Sequence, residues 1–351
     1  MNPDRHAEHK ALLAPLRAAM SEFDSSTVRT ELAAIVASDA NIRLSEPFGT
    51  VCGSGEWLQQ AYAPLLQAWP DLERRDWIVV AGADEDGADW VGCAGHYLGT
   101  FAAPWLDIPS TGHVAAMRFH EFYRFENGQV VEVQAIWDVP EVMQQAGAWP
   151  LAPALGRSWQ VPGPATQDGL VDRVANAEAS AASREHVIGM LTDLCRHPGE
   201  GGPEVMNLER WWHPRFNWYG PAGIGTARGI SGFRHWHQIP FLAAMPDRSQ
   251  HPAGTSCHFF AEDQYVAVTG WPNMAQTLSA AGWLGLPPTG QRITLRSLDF
   301  WRLERGLIRE NWVLVDLLDL YTQLGIDALG RMREFNKART GFSDTTGVAL
   351  A

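Results

Sequence analysis

The chain repeats itself, and this limits its fold more than any other feature of the sequence. Gly49-Thr50 returns as Gly225-Thr226 and Pro70-Asp71 as Pro246-Asp247, both 176 positions later. Ser110-Thr111-Gly112 matches Pro288-Thr289-Gly290 at an offset of 178, and Tyr123-Arg124-Phe125-Glu126 matches Trp301-Arg302-Leu303-Glu304 at the same offset. Asp138, Gln145 and Gly147 pair with Asp316, Gln323 and Gly325, again 178 apart. A register held this long marks a tandem duplication in which each copy is one folding unit. With 351 residues, each copy is large enough to bury its own core. The reading is residues 1–150 for the first domain, 151–178 for a Pro-, Ala- and Gly-rich linker, 179–330 for the second domain and 331–351 for a C-terminal tail.

Within a copy, helices come first and strands follow. In copy one the apolar spacing predicts helices over residues 4–22 (Leu12, Leu13, Leu16 and Met20 inward), 27–38 and from Glu56 to about Pro70. Period-two patterning then predicts strands around 73–82, 89–102, 113–126 and 129–138. Asn127-Gly128 is a hairpin signal, because its turn needs positive φ at both central residues. Helices followed by a run of antiparallel strands describe an α+β unit whose curved sheet wraps its helices.

Composition narrows the function. Asp and Glu number 40 against 27 Lys and Arg, a net charge of −13, so no basic stripe is available for nucleic acid. No apolar run reaches the length of a membrane span, and the N-terminus lacks the apolar core of a secretory signal. Four widely spaced cysteines fit reduced thiols, and the expected location is the cytoplasm. Sixteen Trp is high for this length and points to aromatic-lined cavities or large interfaces. No Gly-x-Gly-x-x-Gly stands between a strand and a helix, and His235 and His237 point apart on a helix, so neither nucleotide binding nor a metal pair is expected.

The motifs that repeat are also similar to a known family. Gly95-His96-Tyr97-Leu98-Gly99-Thr100-Phe101, Ser110-Thr111-Gly112, Tyr123 to Gly128 and Asp138 with Gln145-Ala146-Gly147 resemble the SnoaL-like polyketide cyclases. Gly270, Pro288-Thr289-Gly290, Trp301 to Gly306, Glu310-Asn311-Trp312 and Asp316 with Gln323-Leu324-Gly325 repeat the resemblance. It implies two tandem cone-shaped α+β barrels of the nuclear transport factor 2-like superfamily, each with a deep pocket and no cofactor. It further implies acid/base carbonyl chemistry on a hydrophobic, aromatic or polyketide-like hydroxy-carbonyl compound: aldol cyclisation, its retro-aldol (lyase) reverse, or isomerisation.

Acid/base groups of the family project from the last two strands. The candidates there are His120, Glu121 and Asp138 in copy one and Asp299 and Asp316 in copy two, with His96 beside Gly95 on an earlier strand. Alternation sends Glu121 and Tyr123 to one face and Phe122 and Arg124 to the other. Trp57, Trp90, Tyr97, Trp137 and Trp312 are the candidate substrate-binding aromatics. Asp138 and Asp316 also stand where a helix N-cap would, while Trp211-Trp212-His213 reads as packing. Copy one, richer in polar strand residues, is the expected active barrel. Copy two is then its supporting partner in an intrachain pseudo-dimer, with further homo-oligomers left open. The competing class is a non-catalytic binding protein with one or both barrels degenerate.

Overall fold

The computed structural model describes residues 3–172, 174–248 and 253–340. Two helices, Pro3–Glu22 and Ser25–Ile35, open copy one; Asp24 caps the second by accepting from the Thr27 N–H. Leu13, Leu16 and Met20 face inward as expected, but Leu12 lies on the solvent side, 37% exposed. The strands are β1 (Val36–Leu44), β2 (Thr50–Cys52), β3 (Glu73–Ala83), β4 (Asp89–Thr100), β5 (Val114–Glu126) and β6 (Gln129–Trp137). They form one sheet in the order β2-β1-β6-β5-β4-β3, antiparallel throughout except β1 against β6. Asn127 and Gly128 turn the β5–β6 hairpin at φ 49° and 77°.

Copy two repeats this order. Its strands are β7 (Trp212–Tyr219), β8 (Thr226–Arg228), β9 (His258–Glu262), β10 (Tyr265–Thr269), β11 (Met274–Thr277), β12 (Arg292–Leu295), β13 (Ser297–Glu304) and β14 (Leu307–Val315). The six-stranded sheet runs β8-β7-β14-β13-β10-β9, and β11 and β12 make a separate pair. The long strand β4 is thus divided here into β10 and β11, at Trp271-Pro272, because Pro cannot donate to a ladder. The Asn273 side chain bridges the break, donating to Ser297 O (2.7 Å) and accepting from Ser297 N–H (2.9 Å). The first helix of copy two, Ala177–Leu194, starts on Asn176, so the 178/179 boundary falls inside its first turn. The helix Ala328–Asn336 crosses the 330/331 boundary, and residues 341–351 of the expected tail lie outside the described residues.

Helices cover one face of each sheet, and the other faces pack against each other. Ile78, Val80, Trp90, Ala94, Phe122 and Ile136 meet Phe260, Ala267, Leu298, Phe300, Trp312 and Leu314 in one apolar cluster, joined by Val161 of the linker. Equivalent residues touch across this seam, as in an isologous dimer. Phe122 stacks on Phe300, its counterpart 178 positions on, with ring centroids 5.0 Å apart. His120 lies 2.6 Å from the carbonyl of its counterpart Leu298. Gly92 keeps the strands close: a Cβ there would sit 3.0 Å from the Phe300 ring.

The recurring aspartates lock the rim of the seam. Asp138 accepts from the Ala222 N–H (2.9 Å), and Asp316 accepts from the Glu46 N–H (3.0 Å), each reaching the equivalent loop of the other copy. Each also faces an arginine of its own copy, Arg118 at 3.5 Å and Arg296 at 3.0 Å, and these two arginines are again 178 apart. Asp316 alone doubles as a side-chain cap, accepting from the Asp319 N–H. Among the described residues no helix is long and apolar enough to cross a membrane.

Removing either carboxylate strands a backbone N–H in the seam. Asp138→Ala and Asp316→Ala are each expected to lower unfolding free energy by about 1–3 kcal/mol, read from urea denaturation; unchanged midpoints would deny the clasp its role.

Candidate active site

In β5 and β13 alternate residues face the seam, and the others face the interior beneath the helices. The acidic pair that turns inward is Glu121 of β5 and Asp299 of β13, two residues at equivalent positions in very different surroundings.

In copy one the interior is filled. Glu121 is fully buried, and both of its oxygens are saturated. Oε1 accepts from Tyr97 Oη and Trp137 Nε1, both at 2.9 Å; Oε2 accepts from Arg74 Nη1 and Tyr123 Oη, both at 2.5 Å. Arg74 continues to Asp76 (3.0 Å) and lies over the Phe119 ring, while Tyr62 Oη meets Tyr97 Oη at 3.1 Å. Burial and the Glu121 charge hold the three phenols well above their ordinary pKa, so they remain donors. Trp57 packs on Tyr62 and closes the cluster. Four sequence candidates therefore meet here, Glu121, Tyr97, Trp137 and Trp57, but as a closed network rather than around open space. Copy one departs in this respect from the pocketed barrel that the resemblance implied.

Copy two is hollow. A cavity of about 90 Å3 lies beneath β13 and β14, walled by Trp212, Trp218, Phe233, Phe241, Trp283 and Trp301. The cause can be read from one cross-strand pair. Phe119 faces Trp137 in the β5–β6 ladder, and at the same place in the β13–β14 ladder Ser297 faces Val315. Two bulky rings become a hydroxymethyl and an isopropyl group, and the volume they give up is cavity.

Asp299 lines this space, and the Ser297 hydroxyl donates to its Oδ1 at 2.6 Å. Ser297 is itself held through its backbone by Asn273, so the broken strand positions the carboxyl. Burial lifts the Asp299 carboxyl to about 7, against the opposing pull of Ser297 and Arg248. His237 stacks on Trp218 with centroids 3.9 Å apart, and burial next to Arg248 pushes it down to about 3, so the imidazole is neutral. Gln238 and Asn311 also line the cavity; Asn311 donates to Phe300 O, but neither amide atom of Gln238 has a partner. Among the described residues no three His, Cys, Asp or Glu side chains converge to hold a metal ion.

The remaining candidates lie in the seam, away from either interior. His120 donates from Nδ1 to Leu298 O, and burial holds it neutral. His96 sits under Trp77, 5.2 Å between centroids, pushed down to about 3 by burial and Arg118. Asp138 and Asp316 clasp opposite loops. Trp312 donates to Pro162 O of the linker and Trp90 donates to Asp84 Oδ2, so both satisfy their indoles at the interface instead of facing a ligand. Of the polar strand candidates in copy one, His96, His120 and Asp138 face the seam and Glu121 sits in the closed interior network, while the aromatic-walled cavity lies in copy two. Sequence reading missed Trp212, Trp301, His237 and Gln238. Trp301 gave a usable signal, because it shares a face with Asp299, two residues away.

Comparison with known proteins agrees with this architecture. A family profile described as SnoaL-like polyketide cyclase matches residues 16–146 and 203–324, together well over half of the chain. Solved structures similar to it include AclR from Streptomyces galilaeus, provisionally named a hydroxylase, at 22% identity and a TM-score of 0.34. IdmH from Streptomyces antibioticus, provisionally named a polyketide cyclase, follows at 23% identity and a TM-score of 0.33. Each covers 40% of this chain and nearly all of its own, 97% and 98%. Among curated proteins no sequence matches the chain. Both halves carry the family's sequence pattern on the expected elements, and the chain belongs to the SnoaL-like polyketide cyclase family, with the family domain present twice.

Proposed function

We propose that copy two is a cofactor- and metal-independent acid/base site for a hydrophobic aromatic or polyketide-like hydroxy-carbonyl compound, and that copy one is its non-catalytic, paired scaffold. The observation that carries this reading is the Asp299 carboxyl, lifted to about 7 in an aromatic-walled cavity. A base poised near the working pH combines a useful ionised fraction with useful basicity. The ionised carboxyl takes a proton from the carbon beside a substrate carbonyl, and the charge passes to the carbonyl oxygen as an enolate. The unpaired indole N–H groups of Trp212 and Trp301 line the same cavity and suit that oxygen. The enolate carbon then attacks a second carbonyl, a C–C bond forms, and the alkoxide recovers the proton from Asp299. The same carboxyl serves the reverse cleavage or a proton-shift isomerisation.

The interior carboxylate of copy one is not available in the same way. Glu121 is committed to four donors, and a substrate would have to displace two indole or phenol rings to reach it. Asp138 and His120 are likewise engaged across the seam between the copies.

Asp299→Asn is expected to lower kcat by about a hundredfold or more on a compound that the wild type converts, with thermal unfolding preserved. Retained turnover would place the chemistry elsewhere. The sign of the pH effects follows from the raised pKa. Activity that needs the ionised carboxyl rises with pH through about 7 and levels off above it. The stability that protonated Asp299 contributes is fully present below about pH 4, the ordinary carboxylate range. It declines as pH rises and is gone above about 7, so the Asn variant should lack this component in unfolding measured from pH 4 to 8.

Val315→Trp places copy one's residue in copy two and is expected to close the cavity. In a thermal-shift screen of aromatic hydroxy-carbonyl compounds, a ligand at about 100 times its Kd adds about 2.7 kcal/mol. Hits that raise the wild-type Tm should leave Val315→Trp unmoved; a shift of equal size in both would show that the ligand binds outside this cavity.

A further inference from the structure

Gln238 is 2% exposed, lines the copy-two cavity, and has neither a donor for its Oε1 nor an acceptor for its Nε2. Leaving a buried amide unsatisfied on both sides costs free energy, and such groups are rare in folded proteins. Its surroundings show that the fold does not require it. Tyr62 holds the equivalent place in copy one, 176 positions earlier, and its hydroxyl is satisfied by Tyr97. Gln238 ends a one-turn π-helix, Arg234–Gln238, the counterpart of Leu58–Tyr62. Such wide turns recur at functional sites because they shift side chains out of the ordinary helical register. Here the turn sets the stacked His237 and the unpaired Gln238 side by side on the cavity wall.

A primary amide presents a donor beside an acceptor. Its full complement is a planar edge with an acceptor oxygen next to an N–H or O–H, as in a lactam, a carboxylic acid or an enolised β-dicarbonyl. We infer that Gln238 is a specificity-determining residue that binds such an edge of the ligand through a paired hydrogen bond. The inference rests on the reading of copy two as the ligand-binding domain and adds to it the functional group by which a ligand is oriented. A site that hydrogen-bonds a ligand on both sides discriminates strongly against an analogue lacking one partner, because the buried amide is then left unpaired.

The probes are 2-quinolone, a planar lactam with this edge, and N-methyl-2-quinolone, which keeps the carbonyl and loses the donor. Binding to the full chain is followed by quenching of tryptophan fluorescence. The wild type is expected to bind 2-quinolone at least about tenfold more tightly than its N-methyl analogue. Gln238→Leu should bind both alike. It should also unfold about 2–4 °C higher, because an orphaned amide has been replaced by an apolar group of similar size. Gln238→Met serves as the second variant if Leu impairs folding. Equal binding of the two probes by the wild type, failure of both to bind, a preference that survives in Gln238→Leu, or a lower Tm in that variant would each overturn the assignment. The reading of Asp299 falls on a different result, retained turnover in Asp299→Asn, so the two failures are distinguishable.

Discussion

A curved sheet with an apolar outer face has to bury that face, and here the duplication supplies the cover. Phe122 against Phe300 and His120 against Leu298 put equivalent residues in contact across an approximate twofold, and the Arg–Asp clasps close both ends of it. This pairing decides what every second residue of β5, β6, β13 and β14 can be. Side chains turned outward pack against the other copy, and only those turned inward face the interiors beneath the helices. It also explains why aspartate recurs at 138 and 316: each carboxylate accepts from a loop of the opposite copy, a demand set by symmetry.

With the seam shared, the two interiors are free to diverge. Copy one spends its inward positions on a dense network around Glu121, in which aromatic and cationic donors satisfy the carboxylate completely. Copy two gives up that packing. It keeps a buried carboxyl with one hydroxyl partner, a neutral histidine, an unpaired glutamine and unpaired indoles around a void, each unfavourable for stability in isolation. Sites that bind or react are commonly held at such a cost to stability. The filled copy and the seam provide the rigid support against which a hollow copy can persist.

Much of the fold was legible in the sequence. The limits of β3 to β6 follow the period-two pattern to within a residue or two, the Asn127-Gly128 turn adopts the positive φ values its residues favour, and Glu121 and Tyr123 share a face as alternation requires. What alternation could not supply was which face lies inside. Strands β4 and β5 are buried on both sides, so polar-out, apolar-in contrast is missing. His96 and His120 consequently looked like pocket residues when they face the other copy. The cavity itself depends on the sizes of a cross-strand pair, Ser297 and Val315, whose register is invisible until the hairpin is paired. His237 and Gln238 sit in a π-turn, where the 3.6-residue period used to assign helix faces no longer applies. The near-constant offset did contain the answer in part, since aligning Phe119 with Ser297 and Trp137 with Val315 shows which copy has lost bulk.

The central claim is that the reactive carboxyl is Asp299, held near neutrality by the copy-two cavity. The most direct measurement is a pH titration of carboxyl carbon resonances in protein labelled at aspartate, comparing wild type with Asp299→Asn. A resonance with a midpoint near 7 that disappears in the variant is the expected result. A midpoint in the ordinary range near 4 for the resonance lost in Asp299→Asn would contradict it.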